Sequence, residues 1–297
     1  MGLDGNTTRF LLYAQRRGVD FSRTATVGRQ FFYLDAPALK TVLKDFGYTL
    51  PEAQIIDLLL QNEGYTEPLF QLLGAGEIRS FDASTYEGAS DVHDFNLPIP
   101  EELCNRFSAV VDGGSLEHVF NLPVAIRNCM QMVRVGGHFL GMSPANNWFG
   151  HGFYQLSPEF FFRVFSRQNG FEMVCALVCE LGGEDWFEVL DPAIVQGRAA
   201  LINARETYLL TLARKVETVS IFSTHPQQGD YVEQWRNTAP QVLRPAPPRA
   251  AGQPRLSGKL GKALPAPLKV PVRLWRALRA RNQPQFDSRF FKKVTIP

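Results

Sequence analysis

Residues 107–158 confine this chain to a small set of folds. Ser108 to Val111 is a short apolar, partly β-branched run that stops abruptly at Asp112-Gly113-Gly114, as a buried parallel strand ends in a loop. From Asn121 to Val133, apolar residues at Val124, Ile126, Cys129, Met130 and Val133 recur close to a helical period. Gly136-Gly137 is expected to stop that helix, and His138 to Met142 is apolar again. The pattern predicts a β-α-β unit whose first strand delivers Asp112, Gly113 and Gly114 to its C-terminal edge, where ligands of open α/β sheets sit.

Asp112, Leu116-Glu117-His118-Val119, Gly136-Gly137 and Ser157-Pro158-Glu159 follow one another in an order and spacing that resembles the class I S-adenosylmethionine-dependent methyltransferases. The resemblance spans residues 20 to 217. It implies an α/β fold with a Rossmann-like doubly wound sheet, mostly parallel with an antiparallel last strand pair. It also implies S-adenosylmethionine as cofactor and methyl transfer to a small molecule or sugar, with O-methylation expected. The alternative is a degenerate methyltransferase fold that binds a ligand or partner without catalysis. A different nucleotide-using Rossmann enzyme is disfavoured, because the Gly-x-Gly-x-x-Gly of dinucleotide binders is missing.

Carried onto this sequence in order, the resemblance gives a first strand over Ser22 to Val27 and a cofactor loop beginning at Gly28. The family's Gly-x-Gly-x-Gly is reduced there to Gly28-Arg29-Gln30. Arg29 is either a bidentate donor to the cofactor carboxylate or a structural residue tied to an acid. Ile78 to Asp82 is the expected second strand, and Asp82 at its end matches the residue that holds the ribose hydroxyls; it reads equally as a helix N-cap or turn. Asp94, with Phe95 beside it, matches the adenine-binding position, or else an Asx-type turn before Leu97-Pro98. Asp112 and Gly113 complete the implied cofactor set.

The loop from Ser143 to Gln155 is rich in Asn, Trp, His and Tyr and should build the acceptor pocket. His151, flanked by glycines, is the first candidate for general base, and His118 after strand four is the second, since imidazole has the right unperturbed pKa. Glu117 is expected to tie down its loop. Tyr154 and Asn147 are candidate substrate contacts. Helices are expected over residues 37–46, 51–61, 160–169 and 194–204, and antiparallel strands over 171–181 and 206–216.

Cys175 and Cys179, four apart in an apolar run with no histidine nearby, read as buried thiols. No zinc pattern, phosphate loop or helix-turn-helix is visible, so no metal is expected. No apolar run approaches the ~18 residues of a membrane span, and the N-terminus lacks a signal peptide's pattern, so a cytoplasmic protein is expected.

The formal net charge of +2 hides a split. From Arg244 onward lie 13 of the 31 basic residues and, of the acids, only Asp287, giving +12 against −10 for the rest. The acidic body argues against nucleic acid as a partner. Residues 1–226 are therefore expected to form the α/β domain, with 185–204 inserted as a cap over the pocket. Residues 227–297 read as a Pro-rich, basic, flexible tail carrying a short amphipathic helix at 271–281, suited to peripheral membrane contact, to folding back onto the acidic body, or to remaining a solvated end.

Overall fold

The computed structural model describes residues 2–229, 231, 232, 235 and 285–297. Nine strands form one sheet: β1 (Arg23–Val27), β2 (Glu77–Asp82), β3 (Asp91–Val92), β4 (Phe107–Asp112), β5 (Val133–Pro144), β6 (Phe171–Glu180), β7 (Trp186–Val189), β8 (Thr207–Lys215) and β9 (Phe291–Val294). Their order is β9-β7-β6-β8-β5-β4-β1-β2-β3. Strands β3, β2, β1, β4 and β5 pair in parallel, whereas β8 inserts antiparallel between β5 and β6, and every pair beyond is antiparallel. This is the Rossmann-like α/β sheet expected from the sequence. Its strand order reverses between β1 and β4, and ligands of such sheets bind outside the carboxyl ends at that reversal.

The central strands are buried on both faces, which explains their continuous apolar runs. Along β4, Val110 packs into one core with Ile126, Met130, Phe161 and Phe165, while Ala109 and Val111 pack into the other with Phe10, Leu43 and Phe70. Four helices supply the second core: α1 (Gly5–Arg16), α2 (Ala36–Asp45), α3 (Glu52–Leu60) and α4 (Glu67–Leu72). Asp4 and Asp35 start α1 and α2 by accepting backbone N–H groups of the first turn. Helices α5 (Leu122–Met132) and α6 (Pro158–Val164) cover the opposite face. Among the described residues no helix is long and apolar enough to cross a membrane.

Several expectations need correction. Gly136-Gly137 does not separate helix from strand. The helix ends at Met132 and β5 runs through both glycines, because Gly137 lies so close to β4 that a Cβ would meet Ser108 O at 2.8 Å. The helix expected over 160–169 breaks at Val164, whose carbonyl accepts the Asn169 side-chain amide, and a short 3₁₀ turn over Arg167–Asn169 follows. Of residues 194–204, only the start is helical, in α7 (Pro192–Val195), which Gln196 ends in a left-handed conformation. Within 185–204, residues 186–189 extend the sheet as β7, while Leu201 and Asn203, and Arg205 just beyond, meet the loop after β5.

The tail is not wholly apart from the body. Its last residues return to the sheet, where β9 pairs with β7 and Phe290 is fully buried beside Val189 and Phe286. The amphipathic segment at 271–281 lies outside the described residues. If the returning end is part of the cooperative fold, Phe290→Ala should cost about 3–5 kcal/mol, as other buried phenylalanine truncations do. Phe149→Ala, at a side chain 96% exposed, should stay within about 0.5 kcal/mol of wild type. Urea denaturation of both variants checks this, and an unchanged midpoint for Phe290→Ala would show the end to be loosely attached.

Candidate functional site

The loops after β1 and β4 are joined by one buried carboxylate. Asp112 ends β4 with no exposure, and its Oδ1 accepts the backbone N–H groups of Ser115 and Leu116 at 2.8 and 3.1 Å. The tight turn this makes aims the Ser115 hydroxyl at the Val27 carbonyl, to which it donates at 2.5 Å. Gly28, at φ +70°, permits the approach, since a Cβ there would stand 2.7 Å from Ser115 Oγ. Asp112 thus shapes its loop from behind. Burial pushes its pKa up to about 7, against the lowering effect of those amides.

A cavity of about 210 Å³ opens at this edge, lined by Gly28, Asp82, Asp94, Phe95, Ser115 and His118 among others. Four of the seven sequence-predicted cofactor residues thus line one space. Asp82 caps β2, with its Oδ1 accepting Ser84 N–H at 3.1 Å. Asp94 makes the Asx turn that was the other reading of it, accepting the Asn96 backbone N–H at 2.9 Å and so holding its carboxyl below the ordinary range. Phe95 is buried against Phe81. A larger cavity, about 540 Å³, lies between α5, α6 and residues 222–228, away from every predicted site residue. Volume favours that space, but the convergence of polar groups at a strand-order reversal favours the smaller one.

Arg29 does not point into the cavity's chemistry. Its Nε donates to Glu67 at 2.6 Å, and its guanidinium stacks 3.8 Å from the Tyr65 ring centre, which is the structural role. Gln30 occupies the position where glycines were expected. Its side-chain amide donates to the carbonyls of Val27 and Gly28 at 2.8 and 3.2 Å. It lies so close to Gly113 that a Cβ there would be 2.2 Å from Gln30 Oε1. Gln30 therefore fills the gap between the two loops, and its buried Oε1 has no hydrogen-bond partner.

Beyond His118 the site continues to a second group. His151, brought in by the loop after β5, sits with its ring centre 4.8 Å from that of His118. Beneath both lies Glu117, its side chain 1% exposed, with Oε1 3.3 Å from His151 Nε2 and 4.0 Å from His118 Nε2. Neither Glu117 oxygen is aligned for a hydrogen bond. Burial first, and the nearby Asp112 second, raise its pKa to about 8. Burial and the facing His151 lower that of His118. Gly152 makes the approach possible at φ +71°, where a Cβ would come within 2.8 Å of Glu117 O, and Phe153 N–H donates to the same carbonyl at 2.8 Å.

The two candidate base histidines are thus brought together, 33 residues apart in sequence. Of the candidate substrate contacts, Asn147 gives its amide to Arg205 O at 2.7 Å and to Asn203, clasping a neighbouring loop. Tyr154 donates its hydroxyl to Phe120 O at 2.7 Å. Sequence reasoning placed Glu117 as a loop tie and passed over Ser115 and Gln30, because side-chain burial at a loop has no periodic signature.

No family model and no curated protein matches the sequence. Solved structures similar to it include a Burkholderia thailandensis 1,6-didemethyltoxoflavin-N1-methyltransferase with bound 1,6-didemethyltoxoflavin and S-adenosylhomocysteine. That pair shares 12% identity over 72% of this chain and 78% of the other, with a TM-score of 0.39. A second is the trans-methyltransferase CalH in complex with SAH, at 13% identity over 71% and 57% of the chains and a TM-score of 0.35. A third is a branched-chain polyamine synthase from Thermus thermophilus with N4-aminopropylspermidine and 5'-methylthioadenosine, at 12% identity over 76% and 61% and a TM-score of 0.35. Likeness of this order carries no conclusion about reaction, cofactor or acceptor.

The role of Gly152 is open to test. Gly152→Ala should cost about 1–2 kcal/mol for the left-handed backbone alone, and should push the His151 loop off Glu117. Gly150→Ala, with nothing within 4 Å of the added carbon, should do neither. Denaturation midpoints and histidine side-chain NMR read both effects, and unchanged His151 signals in Gly152→Ala would remove the glycine from the account.

Proposed function

We propose that the protein is an S-adenosylmethionine-dependent methyltransferase acting on a small molecule or sugar, with transfer to oxygen. The observation that carries the reading is the cavity at the β1/β4 reversal, where Gly28, Asp82, Asp94 and Phe95 converge at the positions the family resemblance implied. In this reading Asp82 accepts hydrogen bonds from the ribose hydroxyls and Asp94 from the adenine amino group, with Phe95 supplying apolar wall. Asp112 holds the loop in shape without touching the cofactor, and Arg29 is structural.

The cofactor supplies an electrophilic methyl on a sulfonium, and the protein supplies position and a base. His118 marks where the cavity passes to the acceptor side. His151 takes the acceptor's hydroxyl proton, with the Glu117 carboxyl 3.3 Å from its Nε2. Exposed Phe120, Phe149 and Phe153 offer a rim for a flat or apolar ring face. Bound there, the cofactor would supply its methyl carbon to the acceptor's oxygen, with the sulfur keeping the electron pair of the carbon–sulfur bond that breaks.

One observation favours the second reading, a degenerate fold that binds without catalysis. Gln30 fills the gap where the family's glycines leave room for the methionyl chain. Calorimetric titration with S-adenosylmethionine decides between the two. Wild type should bind, Asp82→Ala should lose about 1–3 kcal/mol of affinity, and Gln30→Gly should bind more tightly. S-adenosylhomocysteine release against a panel of phenols, hydroxy acids and sugars should fall ~100-fold or more in His151→Asn with cofactor affinity unchanged. No binding at millimolar concentration by wild type and Gln30→Gly alike would overturn the cofactor and leave the binding reading.

A further inference from the structure

We propose that Glu117, His118 and His151 form a divalent transition-metal site at the acceptor end of the cavity. The three side chains converge from two loops, with one candidate ligand atom from each lying within 4.8 Å of the others. A metal with bonds of about 2.0–2.2 Å to nitrogen and oxygen sets its ligand atoms about 3–3.5 Å apart. The Glu117 Oε1 to His151 Nε2 separation of 3.3 Å already falls there. The 4.0 Å separation to His118 Nε2 closes by a small rotation of an imidazole whose side chain is 41% exposed.

An independent observation points the same way. Glu117 is all but fully buried, and neither carboxylate oxygen has a hydrogen-bond partner. The nearby Asp112 carries a second orphaned oxygen, Oδ2. Among the described residues no Lys or Arg forms an ion pair with either carboxylate. Buried carboxylates are paired, protonated or metal-bound, and among the described residues the basic groups facing Glu117 are the two imidazoles. The histidines are half-exposed on the outer side, so a bound ion would keep open positions for another ligand.

Two imidazoles and one carboxylate with open positions suit Zn²⁺, Mn²⁺, Fe²⁺ or Co²⁺ better than Ca²⁺ or Mg²⁺, which prefer all-oxygen ligands. At that place the ion would take an oxygen of the acceptor as ligand and lower its pKa, the proton leaving to solvent. His151 would then be a ligand instead of a base. This use of the ion rests on the methyltransferase reading; the binding of the ion does not.

The test uses the full chain, freed of metal with a chelator and titrated with Co²⁺ and Zn²⁺. The expected result is one equivalent bound, a visible Co²⁺ d–d absorption and a melting temperature that rises with metal concentration. His118→Ala and His151→Ala should weaken binding by at least about 100-fold, since loss of even an outer partner costs 10–100-fold. Glu117→Gln should do likewise, and His225→Ala, at the separate cavity beside α5 and α6, should leave binding unchanged. Both histidines are half-exposed, so their variants are expected to fold even if Glu117→Gln does not. Binding weaker than millimolar, or binding that survives both histidine variants, overturns the site. Metal binding without any S-adenosylmethionine binding would uphold the metal site and remove the methyltransferase reading.

Discussion

A carboxylate shut away from water at the end of the central strand governs everything above it. Removing an ionised Asp from water costs several kcal/mol unless its oxygens are satisfied. Asp112 recovers part of that cost by accepting Ser115 and Leu116 N–H groups, which is possible only if Gly113-Gly114 turns the chain back sharply. The turn then fixes Ser115 against Val27, and so the distance between the β1 and β4 loops. The cavity between Gly28, Asp82 and His118 exists because that distance is held.

The same turn delivers Glu117 into the interior, one residue past Leu116, whose buried side chain anchors the segment in the core. Burial raises the pKa of both Asp112 and Glu117, and for Glu117 the nearby Asp112 raises it further. The loop after β5 answers with an imidazole. Its path is held by the Phe153 N–H bond to Glu117 O, by the Trp148 indole N–H bond to Thr207 O at 3.0 Å, and by the Asn147 clasp on Arg205. Asn147 thus has a use that a sequence reading takes for substrate contact, because an amide that positions a loop and one that meets a ligand look alike in one dimension.

Legibility followed the range of the interactions. Strands β4, β6 and β8 were readable from their largely apolar runs, β1 from the Thr-Ala-Thr-Val run that Gly28 stops, and α2 because Pro37 marks its start. The break in α6 was not, since it depends on the Asn169 side chain reaching back to Val164 O. Nor was β9, a pairing of Phe291–Val294 with Trp186–Val189 across about a hundred residues of chain. Gly28, Asp82, Asp94 and Phe95 line one cavity, as their order along successive strand ends suggests. The meeting of Glu117, His118 and His151 was only half visible, because both histidines stood out but nothing in a spacing of 33 residues says that two loops touch.

The energetics of the edge show what kind of surface it is. Four buried acceptors there lack a donor: Gln30 Oε1, Asp112 Oδ2 and both oxygens of Glu117. Each orphaned group costs about 1–3 kcal/mol, more where charged, and a fold optimised for stability alone would place apolar side chains in those positions. That the sequence instead gathers unpaired acceptors on the two loops flanking the strand-order reversal makes this edge a surface of raised energy, lowered by whatever brings donors or positive charge. The sulfonium of a cofactor, the hydroxyl of an acceptor and a divalent ion all meet that requirement, and an uncharged apolar ligand does not.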